Sequence, residues 1–350
     1  MPRPLLLLAI SIVAAIVAWV GTALMRRIAL RFNIADHPNE RRINTRPVPR
    51  AGGLSIAVTF AVIGAAIVVL APILHLPAGN GSARLKDAGV EALLLGTLIA
   101  GVIGFVDDRY DLRARWQIIG QLLISLIPIA FGLRILFVSN PFGSGVLLFP
   151  DAVALGVTIF WTLGMQNSMN FIDGLDGLSG GISLIAAVTL GLIALPTSPL
   201  LAALCFTLAG ALAGFLRHNV HPASIYMGTS GILAVAYALA VLAILGTAKV
   251  AAALLILGVP IIDAFFVILG RLLAGRSPYT PDKSHIHRRL LDSGFSHRSA
   301  VLVLYGITAL LSVGALLLTE SATLYAFAGL LVVLGVVAIY LSRKVAGSEG

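Results

Sequence analysis

Long apolar stretches separated by short polar segments set the pattern of this chain. Eleven runs are legible, at roughly 4–24, 51–74, 90–106, 116–133, 150–166, 179–195, 200–216, 231–246, 250–270, 299–318 and 321–341. A helix needs about 20 mostly apolar residues to cross about 30 Å of hydrocarbon. Each run therefore predicts a transmembrane helix, and together they predict an all-α polytopic membrane protein. Pro196 to Pro199 and Thr319-Glu320 are short enough to be hairpin turns between antiparallel helices. The first run is longer than the roughly 7–15 apolar residues of a signal peptide, and Arg26 and Arg27 follow it directly, so it reads as a retained span.

Charge gives the orientation. Of the 24 Lys and Arg residues, 19 fall after the odd-numbered spans 1 to 9 or in the C-terminal tail. By the positive-inside rule that side is the cytoplasm, with the N-terminus outside and the C-terminus inside. The expected address is the inner (plasma) membrane, with cytoplasmic loops at about 25–50, 107–115, 167–178, 217–230 and 271–298. Composition adds that 59% of residues are hydrophobic and 11% charged, against about 25% charged in soluble domains. Residues 1–350 thus read as one integral-membrane domain. The net charge of +9 belongs to topology rather than nucleic acid, since no basic stretch is interleaved with aromatics. The single cysteine, Cys205, lies inside an apolar run and excludes disulfides.

Polar groups at membrane depth are costly and therefore carry functional hypotheses. They gather on the expected cytoplasmic side. Asp107 and Asp108 close the third run, and adjacent carboxylates repel unless a cation relieves them. After the fifth run Asn167, Asn170, Asp173 and Asp176 recur every three residues, a row that stays near one helix face while drifting about 60° per step. Gly174 and Gly177 let the backbone leave the helix there. This loop has no Lys or Arg, and oxygen-only donors without counter-charges suit Mg2+, with Mn2+ also possible. The small-residue turn Gly228-Thr229-Ser230-Gly231 can offer backbone N–H groups to phosphate. The 271–298 loop holds Arg271, Arg276, Lys283, Arg288, Arg289 and Arg298 with His285, His287 and His297, a set suited to a highly charged anion or to lipid headgroups. Asp263, about two turns before Arg271, reads as an ion-pair partner or a carboxylate supporting the site.

At these residues the sequence resembles the polyprenyl-phosphate N-acetylhexosamine-1-phosphate transferases of glycosyltransferase family 4, over nearly the whole chain. Asp36 to Arg42 with Arg46 to Gly53 looks like the family's first cytoplasmic loop, and Asp107 to Leu112 like its aspartate-pair motif. Asn167 to Leu178 matches its Asn-x-x-Asn-x-x-Asp-Gly-Leu-Asp-Gly-Leu motif, and Ser277 to Leu291 its carbohydrate-recognition loop. The resemblance implies transfer of an N-acetylhexosamine-1-phosphate, GlcNAc-1-phosphate above all, from a UDP-sugar to polyprenyl phosphate, with Mg2+ bridging the diphosphate and UMP released. It places Asp107 on the lipid phosphate, Asp108 and Asn170 near the metal, and Asp173 and Asp176 near the nucleotide-metal complex. Asn167, Arg42, Arg46, Asp263, Lys283, His285, His287, Arg288 and Arg289 fall to substrate binding. By analogy the protein is expected to form homodimers.

Three motifs depart from the family pattern. Thr229 and Ile232 stand where the family has an aspartate metal ligand and a serine; Arg288 replaces the third His of the recognition loop; and the first loop has Arg42 and Asn44 for a Lys and a His. A neutral hydroxyl binds Mg2+ more poorly than a carboxylate. The alternatives are a phospho-N-acetylmuramoyl-pentapeptide transferase, a silenced relative that binds lipid phosphate or nucleotide sugar, and a transporter.

Overall fold

The computed structural model describes residues 3–36, 47–79, 88–140, 145–246, 249–277 and 285–346. Arg42, Arg46 and Lys283 lie outside them.

Thirteen helices occupy the described residues: α1 (Arg3–Arg31), α2 (Leu54–Leu70), α3 (Gly89–Tyr110), α4 (Ala114–Ala130), α5 (Asp151–Ile172), α6 (Leu178–Ala194), α7 (Pro199–Asn219), α8 (Gly228–Leu245), α9 (Lys249–Ile256), α10 (Gly258–Leu273), α11 (Ile286–Asp292), α12 (His297–Leu317) and α13 (Glu320–Ala346). Each predicted apolar run falls on helix. The expected turn between α6 and α7 is tight, and so is that between α12 and α13. Two small antiparallel ladders depart from the purely helical expectation. One pairs β1 (Ala35–Asp36) with β2 (Val48–Pro49), the other β3 (Phe137–Ser139) with β4 (Val146–Leu148).

Length separates the helices. Among the described residues α1, α3, α7, α8 and α12 are long and apolar enough to cross a membrane, and α9 with α10 adds a sixth if that bent pair is one span. At 17 residues, α2, α4 and α6 are about 26 Å long. Helix length thus supports a multi-pass membrane protein with five or six spans among the described residues. The ninth run is not one rod: it bends by 77° between Ile256 and Gly258. Pro260 explains the break, because its ring would meet the carbonyl of Ile256, four residues earlier.

In hydrocarbon no amphipathic stripe selects the buried face, so small residues and interhelical hydrogen bonds set the packing. The central element is α8, with 94% of its apolar window buried, against 28% for α1 and 33% for α12. Tyr237 Oη on α8 donates to the carbonyl of Ala92 on α3 at 2.7 Å. Trp161 Nε1 on α5 donates to the carbonyl of Ala240 on α8 at 3.1 Å. At the polar end of α8 the backbones meet: a methyl on Gly104 of α3 would lie 2.5 Å from Ser230 Cα, and one on Gly53 would lie 2.7 Å from the Gly231 nitrogen. These contacts bring the end of α3, the start of α2 and the N-terminus of α8 to one point.

Candidate functional site

The aspartate pair sits at that point, and both side chains are buried. Asp108 accepts from the backbone N–H of Thr229 (2.9 Å, Oδ1) and of Ser230 (3.0 Å, Oδ2), so it caps the first turn of α8. An anion is favoured there by the helix dipole and the unpaired amides. Gly228 has φ +71°, and a methyl on it would lie 2.5 Å from Asp108 Oδ2, so only glycine lets the chain pass. Arg50 Nε lies 3.6 Å from Asp108, and Arg50 Nη1 lies 3.8 Å from Asp36 and 3.9 Å from Asp111. Asp107 Oδ1 accepts from Gln117 Nε2 (2.9 Å) and the Leu112 N–H (3.2 Å), and its Oδ2 accepts from the Thr229 hydroxyl (2.6 Å).

In front of Thr229 opens a cavity of about 490 Å³. Its lining includes Asn170, Asp173 and Asp176 from the loop after α5, Met227 and Thr229 from the start of α8, and Arg50, His287 and Arg288. Asp107 and Asp108 bond to Thr229 but do not themselves line the cavity. Nor does Asn167, whose amide turns toward α4 and donates to Gln121 Oε1 (3.1 Å) and the Leu163 carbonyl (2.8 Å). The drift of a three-residue row accounts for this, because two steps rotate the direction by about 120°.

The loop after α5 is staked on both sides. Asp173 Oδ1 accepts from the Ser179 hydroxyl. Burial pushes the Asp173 carboxyl up to about 6; the charges of Asp108 and Asp176 add to the rise, and Ser179 and Arg50 oppose it. Asp176 Oδ2 accepts from His221 Nδ1 (2.7 Å) and the Ala223 N–H (3.0 Å). The Gly177 N–H donates to Asn219 Oδ1 at 3.0 Å, and its carbonyl accepts from Tyr305 Oη at 2.5 Å. Gly177 has φ +81°, so the chain reverses into α6 at a residue that tolerates it.

From the basic loop, α11 brings His287 and Arg288 to the cavity lining. His287 packs on Gly174 so closely that a methyl there would lie 2.5 Å from the ring Cε1. Burial pushes the His287 imidazole down to about 4, with His285 adding and Asp263 opposing, so it is neutral at pH 7. Its Nδ1 is buried without a hydrogen-bond partner among the described residues. His285 and Asp263 do not line the cavity; they pair behind it, His285 Nδ1 to Asp263 Oδ2, at 2.8 Å. Arg289, next to Arg288, is also absent from the lining.

The glycosyl transferase family 4 model matches residues 90–247, which run from the start of α3 to the end of α8. A probable undecaprenyl-phosphate N-acetylglucosaminyl 1-phosphate transferase of Bacillus subtilis is 33% identical over 326 residues, covering 90% of this chain and 85% of its own. The chain belongs to glycosyl transferase family 4. A decaprenyl-phosphate N-acetylglucosaminephosphotransferase of Mycobacterium tuberculosis is likewise 33% identical over 357 residues, covering 93% and 87%. A phospho-N-acetylmuramoyl-pentapeptide-transferase of Trichormus variabilis aligns over less, 31% over 254 residues, covering 68% of this chain and 64% of its own.

For a member of glycosyl transferase family 4 the donor set matters most. Asp173, Asn170 and Thr229 offer oxygen ligands, and the Asp173 carboxylate is disfavoured first by burial and then by Asp108 and Asp176, which a hard divalent cation would relieve. The cavity therefore fits Mg2+ by chemistry. A second grouping, Asp176, His221 and His297, brings one ligand-capable atom from each residue within 4.8 Å. Its imidazoles stack at 4.1 Å with planes only 23° apart. Nearly parallel rings at that spacing cannot both point a lone pair at one ion about 2.0–2.1 Å away. That trio reads as a hydrogen-bonded cluster.

Sequence reasoning gave no role to Asn219, His221 or Tyr226, which line the cavity, and it assigned His297 only to the basic loop. The usable signal was their position: polar residues in the short segment between apolar runs seven and eight, and just before run ten.

Proposed function

We propose that this chain transfers N-acetylhexosamine-1-phosphate, GlcNAc-1-phosphate above all, from a UDP-sugar to polyprenyl phosphate, giving polyprenyl-diphospho-sugar and UMP. The observation that carries this reading is one cavity whose lining holds both oxygen donors, on Asn170, Asp173 and Thr229, and cations, on Arg50 and Arg288. A diphosphate bridged to a divalent cation needs both kinds of group. The names of the relatives supply the substrate class. In this reading all eleven apolar runs span or enter the bilayer, with the N-terminus outside and the cavity facing the cytoplasm of the inner membrane.

An oxygen of the lipid phosphate forms a bond to the β-phosphorus of the UDP-sugar, and the bond from that phosphorus to the bridging oxygen breaks. The electron pair leaves with UMP. A phosphate monoester has a second pKa near 6, so at pH 7 it is already a dianion in large part. Positioning and charge neutralisation then carry most of the rate. Mg2+ held by Asp173, Asn170 and Thr229 would neutralise the diphosphate. Asp173 must be ionised to hold it. Asp107 acts through Thr229: by accepting the hydroxyl's hydrogen bond at 2.6 Å it leaves the Thr229 lone pairs free for a ligand. Asp108 fixes the turn that carries Thr229. Arg50 and Arg288 bear on the phosphates.

Thr229 favours one second reading, a silenced relative that binds these ligands without turnover, because the hydroxyl brings no charge to the metal. Purified protein would be given undecaprenyl phosphate, Mg2+ and either UDP-N-acetylglucosamine or UDP-N-acetylmuramoyl-pentapeptide, with UMP followed. UMP from the first donor alone supports the proposal. UMP from the second alone moves the chain to the other branch, and binding without UMP supports the silenced reading.

A further inference from the structure

A carboxylate buried in an apolar helix calls for a reason, because its desolvation must be met by donors. Asp263 in α10 is such a group, its side chain 7% exposed. Both of its oxygens are engaged by one short stretch of chain. Oδ2 accepts from His285 Nδ1 at 2.8 Å, and Oδ1 accepts from the Ile286 N–H at 2.8 Å.

Ile286 is the first residue of α11, and its N-cap, His285, makes no side-chain capping bond. The free amide at the start of that helix is therefore capped from α10, 23 residues earlier in the chain. The same carboxylate accepts from the His285 ring, so it fixes both the helix start and the side chain beside it. His285 in turn lies parallel to His287 (centroids 5.6 Å, planes 7° apart) and tilted on Phe171 of α5 at 5.2 Å. One turn of α11 carries His287 and Arg288 into the cavity lining.

We infer that Asp263 is a positioning residue: it holds the start of α11 so that His287 and Arg288 meet the diphosphate side of the nucleotide sugar, without touching the ligand itself. This rests on the reading of the cavity as the UDP-sugar site. Asp263→Asn separates its two bonds. An amide oxygen still accepts from Ile286, but the amide NH2 cannot accept from His285 Nδ1.

The test uses full-length Asp263→Asn beside the unaltered protein, in detergent, with two readouts. Steady-state UMP release should show KM for UDP-N-acetylglucosamine raised about tenfold and KM for undecaprenyl phosphate unchanged. Amide hydrogen exchange with no substrate present should quicken across 286–290 and stay unchanged in α8. Unaltered KM values with unaltered exchange overturn the inference. So does a fall in kcat with both KM values kept, or faster exchange spread over the whole chain, since either marks general structural damage. If the unaltered protein releases no UMP, the transferase reading fails, and exchange across 286–290 still decides whether Asp263 holds α11.

Discussion

Gly174→Ala isolates the contact on which the two sides of the cavity meet. A methyl at that position would stand 2.5 Å from His287 Cε1 and 2.8 Å from Cδ2, where ordinary contact begins at 3.4 Å. The ring must retreat by about 1 Å, but it is buried and stacked beside His285, so α11 must move with it. Overpacking of this kind costs about 1–3 kcal/mol. A misplacement of about 1 Å at a reacting centre can cost about 100-fold in rate. The expected outcome is a thermal midpoint lowered by a few degrees and kcat/KM for the UDP-sugar lowered by about two orders of magnitude. Adding His287→Ala to Gly174→Ala removes the overlap, so the pair should recover the stability lost by Gly174→Ala. That makes the effects non-additive, as coupled neighbours require. Measurement is by thermal unfolding and UMP release on the four proteins of the cycle. A Gly174→Ala protein with unaltered midpoint and kinetics, or strictly additive effects, would refute the packing argument.

Two further predictions concern charge. Asp173 is raised from an ordinary carboxylate value to about 6, so without cation the folded state binds the extra proton and Asp173 lowers stability as pH rises from about 4 to 6. His287, lowered to about 4, works oppositely, adding stability as pH rises from about 4 to 6.5. In chelator, Asp173→Asn should steepen the rise of the thermal midpoint between pH 4 and 6, and His287→Gln should flatten it; the same slope in all three proteins contradicts the assignment. Thr229→Asp would place a second carboxylate within reach of Asp107, which now accepts the Thr229 hydroxyl. That variant should melt lower in chelator and gain more from Mg2+ than the unaltered protein, and an equal Mg2+ shift in both would remove position 229 from the metal site.

Much of this architecture was legible because hydrocarbon makes a strong demand on composition. Every apolar run became helix, and of the row Asn167, Asn170, Asp173 and Asp176 the last three line one cavity while Asn167 turns away from it. The breaks were less legible. Pro260 lies inside a run that hydropathy reads as continuous, and only the clash with Ile256 shows that the helix must turn there. The aspartate pair was visible as chemistry but not as position. Nothing in Asp107-Asp108 tells that one caps the helix start at Ser230 and the other holds Thr229, since those bonds join residues more than 120 apart. Long separation also hid His221 and His297, whose contact joins the segment after α7 to the first residue of α12. Asp263 was found by its depth, yet its partner lies beyond the helix that carries it.

The central claim is that the bond broken lies between the two phosphorus atoms of the UDP-sugar, on its β side. UDP-N-acetylglucosamine labelled with 32P at the β-phosphorus tests it directly, with undecaprenyl phosphate and Mg2+ and with the aqueous and lipid phases separated afterwards. The account predicts label in the lipid phase in step with unlabelled UMP in water, and loss of both in Asp173→Asn. Label left in water as UDP, with sugar alone on the lipid, would contradict it.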